Sequence, residues 1–369
     1  MKYKLVTIVG TRPEVIKLSC VIKKCDTFFE HILVHTGQNY DYELNEIFFN
    51  DLEIRKPDFF LESKSSNLGD SIGKIISSSY QLLKKINPDC VLVLGDTNSC
   101  LSSISAKRLK IPIFHMEAGN RCFDQNVPEE INRKIVDHIS DINLPYTENA
   151  RKYLLSEGLR KDFIFKTGSP MKEILKLYEN QISKSKVLSS YEIKAKEYIV
   201  VSIHREENVD DEDNFKNIIK ALIGVKEKFN KQIIFSTHPR TKIKLEKLSI
   251  EPNPGIRFIK PLGFFDYIFL QLNSYVTLSD SGTLAEESSI LKFPAVSIRT
   301  STERPEAIDS GTFVIGSLNK KDIINSIELV IKMNSPKEPA DYDLINCSDK
   351  VVKIIQSYTS IVNKEVWKK

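Results

Sequence analysis

The sequence predicts an α/β fold of two domains, each built around a parallel sheet. The chain has 369 residues, which is ample for two such domains. Short apolar segments alternate with amphipathic helical segments, the pattern of βαβ units. The alternation pauses at 163–170, and a second series begins at Tyr198. We therefore predict an N-terminal domain of residues 1–167, joined by the C-terminal helix 357–369, and a C-terminal domain of residues 168–356.

The individual elements follow from apolar runs of strand length and from helical spacing between them. In the first half we predict strands at 4–9, 31–35, 90–94, 111–115 and 142–145, with helical stretches from Leu68 to Lys85 and from Thr97 to Leu109. In the second half we predict strands at 198–203, 232–236, 256–259, 275–279 and 295–298.

Composition and charge limit the kinds of molecule that the protein is expected to bind. The net charge of +4 is mild for this length, which suits an anionic small ligand and argues against a nucleic-acid partner. The longest apolar runs are strand-sized, so no membrane partner is expected. The start of the chain runs straight into a strand pattern, and the six cysteines form no Cys-x-x-Cys pair. We expect a cytoplasmic protein with free thiols.

Motifs for metals and common cofactors are missing from the sequence. There is no His-Glu-x-x-His, no EF-hand loop and no Cys or His pair at ligand spacing, so no metal is expected. No strand is followed by Gly-x-Gly-x-x-Gly, and no P-loop is present, so no dinucleotide cofactor is expected. No serine lies in Gly-x-Ser-x-Gly, which leaves a hydrolase triad without support.

Polar residues cluster where the predicted strands end. In open parallel sheets, ligands bind beyond the carboxyl ends of the strands. The strand ends carry Arg, His, Asp or Glu in both halves, including the runs at 10–14, 35–38, 95–98, 115–119, 204–207, 238–240 and 280–283. This distribution favours two ligand-binding faces that form a cleft.

The run Ser279-Asp280-Ser281-Gly282-Thr283 opens a predicted helix. Backbone N–H groups at such a helix start bind phosphate, although an ordinary N-cap is equally consistent with the motif. Arg12 and Lys17 on the first helix could reach the same phosphates. The pair Glu286 and Glu287 lies one turn on, where a carboxylate could accept two ribose hydroxyls.

A second cluster involves carboxylates of the first half. The stretch 128–138 begins a helix in which Glu129 and Arg133 are four residues apart, a spacing typical of a solvated face. However, Glu129 follows Asp96 and Glu117 in the same half, so three carboxylates could converge on one sugar.

The ordered motifs resemble those of the UDP-N-acetylglucosamine 2-epimerases. They are Gly10-Thr11-Arg12-Pro13-Glu14-Val15-Ile16-Lys17, Gly95-Asp96-Thr97, His115-Met116-Glu117-Ala118-Gly119, Pro128-Glu129-Glu130-Ile131-Asn132-Arg133, His204-Arg205-Glu206-Glu207, Ser279-Asp280-Ser281-Gly282, Glu286-Glu287 and Thr302-Glu303-Arg304-Pro305-Glu306. The resemblance implies two Rossmann-like domains facing across a cleft, as in one class of glycosyltransferases. It also implies a homodimer and no NAD or metal requirement.

The resemblance assigns roles by position. It implies a catalytic cluster of Asp96, Glu117, Glu129, Arg133 and His204. It also implies a UDP site made by Arg12 and Lys17 near the phosphates, by His204, Ser281 and Gly282 on the pyrophosphate, by Glu287 on the ribose and by Tyr267 stacked on uracil.

Some positions depart from the glucosamine-type pattern. Asn120 replaces an apolar residue, Glu206 an arginine and Thr283 a glycine, and Gly37 to Tyr42 replaces a basic segment linked to allostery in the family. The segment Gly119 to Pro128 resembles a capsule and O-antigen subgroup that makes UDP-N-acetyl-L-fucosamine by inverting carbon 2 of UDP-2-acetamido-2,6-dideoxy-L-talose. The predicted activity is therefore a non-hydrolysing 2-epimerase with this substrate.

The expected mechanism breaks the anomeric C–O bond, removes the carbon 2 proton with one carboxylate, returns a proton on the opposite face and adds UDP back. At least one carboxyl group should have a raised pKa, and Arg133 is expected to orient Glu129. The alternatives are a UDP-N-acetylglucosamine 2-epimerase forming UDP-N-acetylmannosamine, a glycosyltransferase of the same architecture, a hydrolysing epimerase, and a non-catalytic UDP-sugar sensor.

Overall fold

The protein is described by a computed structural model. It covers residues 2–37, 49–63, 65, 67–248, 253–333 and 336–369, without the side chain of Glu206. The chain divides into two compact units, which we call the first unit (Met1–Lys176 with Asp341–Lys369) and the second unit (Leu177–Ala340). The expected α/β fold of two domains is confirmed.

The first unit contains a six-stranded parallel sheet. Its strands are β1 (Lys4–Val9), β2 (Glu30–His35), β3 (Phe59–Phe60), β4 (Cys90–Leu94), β5 (Ile113–Met116) and β6 (Ile142–Leu144). They lie in the order β3-β2-β1-β4-β5-β6, with Leu5 opposite Cys90 where β1 meets β4. This is the strand order of the Rossmann fold.

The second unit repeats the arrangement. Its strands are β7 (Tyr198–Ser202), β8 (Gln232–Ser236), β9 (Ile256–Ile259), β10 (Val276–Ser279), β11 (Ala295–Ser297) and β12 (Val314–Ile315). The order β12-β11-β10-β7-β8-β9 is again the Rossmann order, with β7 and β10 at the centre. Ile199 lies opposite Val276 in this central pair.

Helices connect the parallel strands in both units. In the first unit they span Arg12–Phe28, Leu68–Ile86, Ser103–Arg108, Pro128–Ile139, Glu148–Ser156, Met171–Leu177 and Cys347–Glu365, with 3₁₀ turns at Asn98–Ser102 and Lys161–Phe163. In the second unit they span Glu179–Ser183, Val187–Ser190, Glu206–Val209, Glu212–Phe229, Pro239–Lys247, Phe264–Leu272, Thr283–Leu291, Pro305–Asp309 and Lys320–Lys332. None of the helices in the described ranges is long and apolar enough to cross a bilayer.

The strands are apolar along their whole length because helices cover both faces of a parallel sheet. All five residues of β4 are buried, as are five of the six in β1. Each fully buried leucine, isoleucine or valine contributes roughly 1.5–3 kcal/mol relative to exposure.

The domain boundaries differ from the predicted ones. Residues 168–176 and 341–356 belong to the first unit rather than to the second domain. The reason is a direct contact between these two segments, in which the Ser348 N–H donates to Glu173 Oε2 at 2.9 Å. The helix Cys347–Glu365 thus returns to the first unit along its whole length.

Candidate active site

The candidate residues of the first unit lie at the topological switch point of its sheet. Connections from β1 and β4, the central pair, leave in opposite directions, and this opens a crevice beyond their carboxyl ends. Arg12 follows β1, Asp96 follows β4, and Glu117 follows β5. The geometry of adjacent parallel strands thus brings together residues that are far apart in the sequence.

Glu117 forms a buried ion pair with Lys17. The Lys17 ammonium donates to Oε1 at 2.9 Å and to Oε2 at 2.7 Å, and each residue is only 7% exposed. Asn120 Nδ2 donates to Glu117 Oε1 at 3.3 Å. The structure therefore places Lys17 on a candidate catalytic carboxylate, whereas the family resemblance implied a position near the phosphates.

The backbone at Glu117 is held in an unusual conformation. Its φ is +64°, in the left-handed region, which costs a non-glycine residue roughly 1–2 kcal/mol. Gly119 follows with a φ of +82°, and its N–H donates to both oxygens of Asp137 at 3.1 and 3.2 Å. Strain of this kind at the end of a strand is typical of a functional loop.

A buried charge network supports this loop from behind. Asp137 accepts from Arg121 Nη1 at 2.7 Å, and its other oxygen lies 2.9 Å from His115 Nδ1. Burial alone would raise the pKa of Asp137, but the contacts with His115 and Arg121 outweigh it and lower the pKa. The carboxylate stays ionised and fixes the loop that carries Glu117.

Asp96 is held by Arg133 from the helix Pro128–Ile139. Arg133 Nε donates to Asp96 Oδ2 at 2.7 Å, and Nη1 donates to Glu130 Oε2 at 2.8 Å. Asn132 Nδ2 adds a bond to the Asp96 carbonyl at 2.9 Å. The solvated-face interpretation of Glu129 and Arg133 is wrong for Arg133, which is buried, as is the neighbouring Glu130.

Three further charged residues belong to this part of the first unit. Arg12 and Glu129 are both half-buried. Glu14 is buried and accepts from the Gly10 N–H at 3.0 Å, as well as from the Ser99 hydroxyl. Burial raises the pKa of Glu14, a residue to which the sequence assigned no separate role.

Glu14 could have been found from the sequence. Thr11 and Glu14 have the spacing of a capping box, in which the glutamate reaches back to the start of the helix. Glu14 Oε2 accepts from the Thr11 hydroxyl at 2.8 Å. This carboxylate therefore ties the end of β1 to the first helix.

The second unit has its own switch point between β7 and β10. Asp280 is fully buried there and accepts from the backbone N–H groups of His204 and Arg205 at 2.9–3.1 Å. Burial raises the pKa of Asp280, but His204 and these N–H donors lower it overall. His204 Nδ1 lies 3.2 Å from Asp280, and the imidazole keeps an exposed side. Asp280 thus orients His204.

The helix Thr283–Leu291 follows β10, and His204 follows the neighbouring strand β7. Gly282 is its N-cap and provides no side-chain cap. A Cβ at Gly282 would overlap Glu303 Oε1, which lies next to Arg205. Ser281 is half-buried. This helix start offers backbone N–H donors, as an anion site requires.

Tyr267 and Glu287 lie in the same unit. Burial raises the pKa of the Tyr267 hydroxyl, and the charge of Glu287 raises it further, whereas Ser202 and Ser279 at the carboxyl ends of the central strands act to lower it. Glu287 is buried and accepts from Gln271 Nε2 at 3.1 Å.

The structure thus sorts the predicted residues into two groups. The first unit contains Arg12, Lys17, Asp96, Glu117, Glu129 and Arg133, and the second contains His204, Tyr267, Ser281, Gly282 and Glu287. Among the described residues, no group of three or more His, Cys, Asp or Glu side chains could hold a metal ion. The segment from Gln38 to Tyr42, which departs from the family's allosteric pattern, and the Glu206 side chain lie outside the described residues.

Comparison with known proteins identifies the family. The family described as UDP-N-acetylglucosamine 2-epimerase matches residues 23–356. The UDP-N-acetylglucosamine 2-epimerase homolog of Methanococcus maripaludis is 39% identical over 365 residues, covering 96% of this chain and 99% of that protein. The expectation of an enzyme, an isomerase acting on UDP-sugars, is confirmed.

Two solved structures agree. The structure of UDP-N-acetylglucosamine 2-epimerase from Rickettsia bellii has a TM-score of 0.94 and 46% identity, with full coverage of both chains. The Methanocaldococcus jannaschii enzyme in complex with UDP-GlcNAc and UDP has a TM-score of 0.91 and 34% identity, covering 96% of this chain and 99% of that one. The chain belongs to the UDP-N-acetylglucosamine 2-epimerase family.

Proposed function

We propose that the protein is a non-hydrolysing UDP-sugar 2-epimerase, which inverts carbon 2 of a UDP-2-acetamido sugar by eliminating UDP and adding it back. The observation that carries the proposal is the pair of carboxylates at the ends of the neighbouring strands β4 and β5. Asp96 and Glu117 are each held by a buried cation, Arg133 and Lys17 respectively. Carboxylates fixed in this way have the defined orientation that proton transfer at carbon requires.

The chemistry of the substrate explains why elimination comes first. The proton on carbon 2 has no neighbouring carbonyl to stabilise a carbanion. Cleavage of the anomeric C–O bond releases UDP with the bonding electrons and leaves oxocarbenium character in the ring. A carboxylate then removes the carbon 2 proton to give a 2-acetamidoglycal. Protonation of carbon 2 on the opposite face and re-addition of UDP at the anomeric carbon give the epimer, with no net change in atoms or charge.

Within this mechanism the first unit supplies the proton-transfer groups. Asp96, Glu117 and Glu129 are the candidates, and Arg133 holds Asp96. The 2.7 Å contact of Lys17 with Glu117 supports a holding role for that lysine in addition to the phosphate role implied by resemblance.

The second unit supplies the nucleotide contacts in this proposal. The uncapped helix start at Ser281 and Gly282 donates N–H groups to the pyrophosphate, next to His204. Glu287 accepts the ribose hydroxyls, and Tyr267 stacks on uracil. Arg12 of the first unit adds a phosphate contact.

For the sugar, we propose UDP-2-acetamido-2,6-dideoxy-L-talose, converted into UDP-N-acetyl-L-fucosamine. Support comes from the segment Gly119 to Pro128 and from Asn120, whose amide contacts Glu117 at 3.3 Å. UDP-N-acetylglucosamine is the second candidate, favoured by the names of the relatives.

We also propose that the enzyme works in the cytoplasm as a homodimer in capsule or O-antigen synthesis. Its six cysteines are free thiols, as a reducing compartment favours. The exposed Ile131 and Ile135, one turn apart on the helix Pro128–Ile139, support a protein contact at this face. Sedimentation analysis of the wild type and of the double variant I131S/I135S tests the dimer, because loss of this apolar face should favour the monomer.

The function is tested by incubating the protein with each of the two UDP-sugars in D₂O and following the carbon 2 proton by NMR. Loss of the signal with formation of the L-fuco product, from the talose substrate alone, supports the proposal. Exchange with UDP-N-acetylglucosamine alone keeps the mechanism and changes the substrate. Accumulation of free UDP and sugar identifies a hydrolysing epimerase, and no exchange with either leaves a transferase or a sensor.

The catalytic assignment has its own test. Asp96→Asn and Glu117→Gln should each slow carbon 2 exchange at least 100-fold. Asp349→Asn, which removes an exposed partner of Lys24, is the control and should keep wild-type exchange. Full exchange in both site variants would remove these carboxylates from the mechanism.

A further inference from the structure

Glu130 is a buried carboxylate to which the proposed mechanism gives no role. It is 1% exposed and lies in the first turn of the helix Pro128–Ile139. Its Oε2 accepts from Arg133 Nη1 at 2.8 Å and from the Cys122 N–H at 3.1 Å, while Oε1 accepts from the Phe123 N–H at 3.3 Å. Cys122 Sγ lies 3.3 Å from Oε2. The side chain thus joins the loop before the helix to Arg133.

Because Glu130 holds the guanidinium of Arg133, it also constrains the position of Asp96. Its Nε and Nη1 belong to one rigid plane, so a bond that holds Nη1 also sets the direction of Nε. Nε donates to Asp96 Oδ2 at 2.7 Å, and the Arg133 side chain is only 3% exposed. The carboxylates of Glu130 and Asp96 therefore hold the same buried guanidinium.

We propose that Glu130 is a positioning residue of the epimerisation, which sets Arg133 so that Arg133 holds the Asp96 carboxylate in its reactive orientation. The inference rests on the proposed function, because it takes Asp96 as a proton-transfer group. The charge of Glu130 is part of this role, since Glu130 and Asp96 share the positive charge of Arg133. Burial raises the pKa of Glu130, but the Cys122 N–H and Arg133 lower it overall, which keeps the carboxylate ionised.

A matched control exists in the same unit. Asp141 is also a buried carboxylate, accepting from a backbone N–H, that of Ile113, at 3.0 Å and from the Lys107 ammonium at 2.6 Å. It immediately precedes β6, so it lies at the amino ends of the strands, away from the end that carries Asp96. Asp141→Asn therefore removes the charge of a comparably bonded carboxylate without touching the candidate site.

The experiment compares Glu130→Gln with Asp141→Asn, using whichever UDP-sugar the wild type epimerises. Glu130→Gln keeps the side-chain volume and removes the charge. We expect kcat to fall about 10- to 100-fold with KM within about threefold of wild type, because displacement of a reacting group slows the chemical step. Asp141→Asn should lower the melting temperature and keep kcat within about twofold of wild type.

The inference is overturned if Glu130→Gln keeps kcat within twofold, if its loss lies in KM, or if Asp141→Asn loses as much kcat. Should Glu130→Gln not fold by circular dichroism, Glu130→Asp, which keeps the charge and shortens the reach, is judged by the same criteria. Wild-type protein without any carbon 2 exchange would instead overturn the proposed function, which separates the two failures.

Discussion

Removal of the Lys17 ammonium should destabilise the first unit strongly. The ion pair of Lys17 with Glu117 has contacts of 2.7 and 2.9 Å, and both residues are 7% exposed. Loss of one partner from such a pair leaves an uncompensated buried charge and costs about 3–5 kcal/mol. Lys17→Met keeps the length of the side chain, so the missing charge accounts for most of the effect. We expect about 3 kcal/mol.

A double-mutant cycle measures the pair directly. Lys17→Met, Glu117→Gln and the double variant are unfolded in guanidinium chloride, and the free energy of unfolding is followed by tryptophan fluorescence. Trp367 is the single tryptophan and lies in the first unit, so the signal reports on that unit. The free energy of unfolding of the double variant should be about 2 kcal/mol higher than the sum of the two single losses predicts.

The control is Lys166→Met. Lys166 lies 2.8 Å from Asp341 in the same unit, but its side chain is 31% exposed. Water screens this pair, so the loss should stay near or below about 1 kcal/mol. Additive single losses within about 0.5 kcal/mol, or equal losses in Lys17→Met and Lys166→Met, would refute the reasoning. A variant of normal stability that has lost UDP affinity in calorimetry would instead assign Lys17 to the phosphates.

Three other perturbations have defined outcomes. Burial lowers the pKa of His35 to about 4, below its ordinary 6.5, so the unfolded chain binds more protons than the folded chain between these pH values. The free energy of unfolding should therefore fall by about 3 kcal/mol as the pH drops from 6.5 to 4. The His35→Gln variant should lack this pH dependence. Gly119→Ala should cost about 3 kcal/mol in chemical unfolding, since its Cβ would overlap a backbone carbonyl, whereas Gly158→Ala, with open space at a similar φ, should cost about 1 kcal/mol. Gly282→Ala should weaken UDP binding about tenfold in calorimetry, because its Cβ would displace Glu303 at the helix start; unchanged affinity would argue against that helix as the phosphate site.

Much of the fold could be predicted because parallel strands buried on both faces are apolar throughout. The strands 90–94 and 232–236 were predicted with the bounds that β4 and β8 have. The edge strands β3 and β12 were missed, since each has two residues and carries no periodicity. The domain boundaries were displaced because they depend on contacts such as that of Ser348 with Glu173, which are far apart in the sequence.

The site was harder to predict than the fold, because sequence spacing identifies charged groups without their partners. Glu129 and Arg133 have a surface-like spacing, yet Arg133 is buried and reaches Asp96 across the end of the sheet. The spacing rule assumes one helix face in water. It fails here because the loop that contains Cys122 covers that part of the helix and donates its backbone N–H to Glu130.

The Lys17 side chain shows which observation separates two roles that look alike in sequence. In sequence, a lysine that binds a phosphate and a lysine that holds a carboxylate have the same context, in the helix that follows a strand. Burial distinguishes them, because a lysine only 7% exposed needs a counter-charge within the folded chain. Glu117 supplies that charge, and Lys17 in turn neutralises the Glu117 carboxylate. The contact also helps to hold Glu117, whose backbone is strained. The same pair thus serves stability and the orientation of a reacting group, so a variant of Lys17 should lose both together.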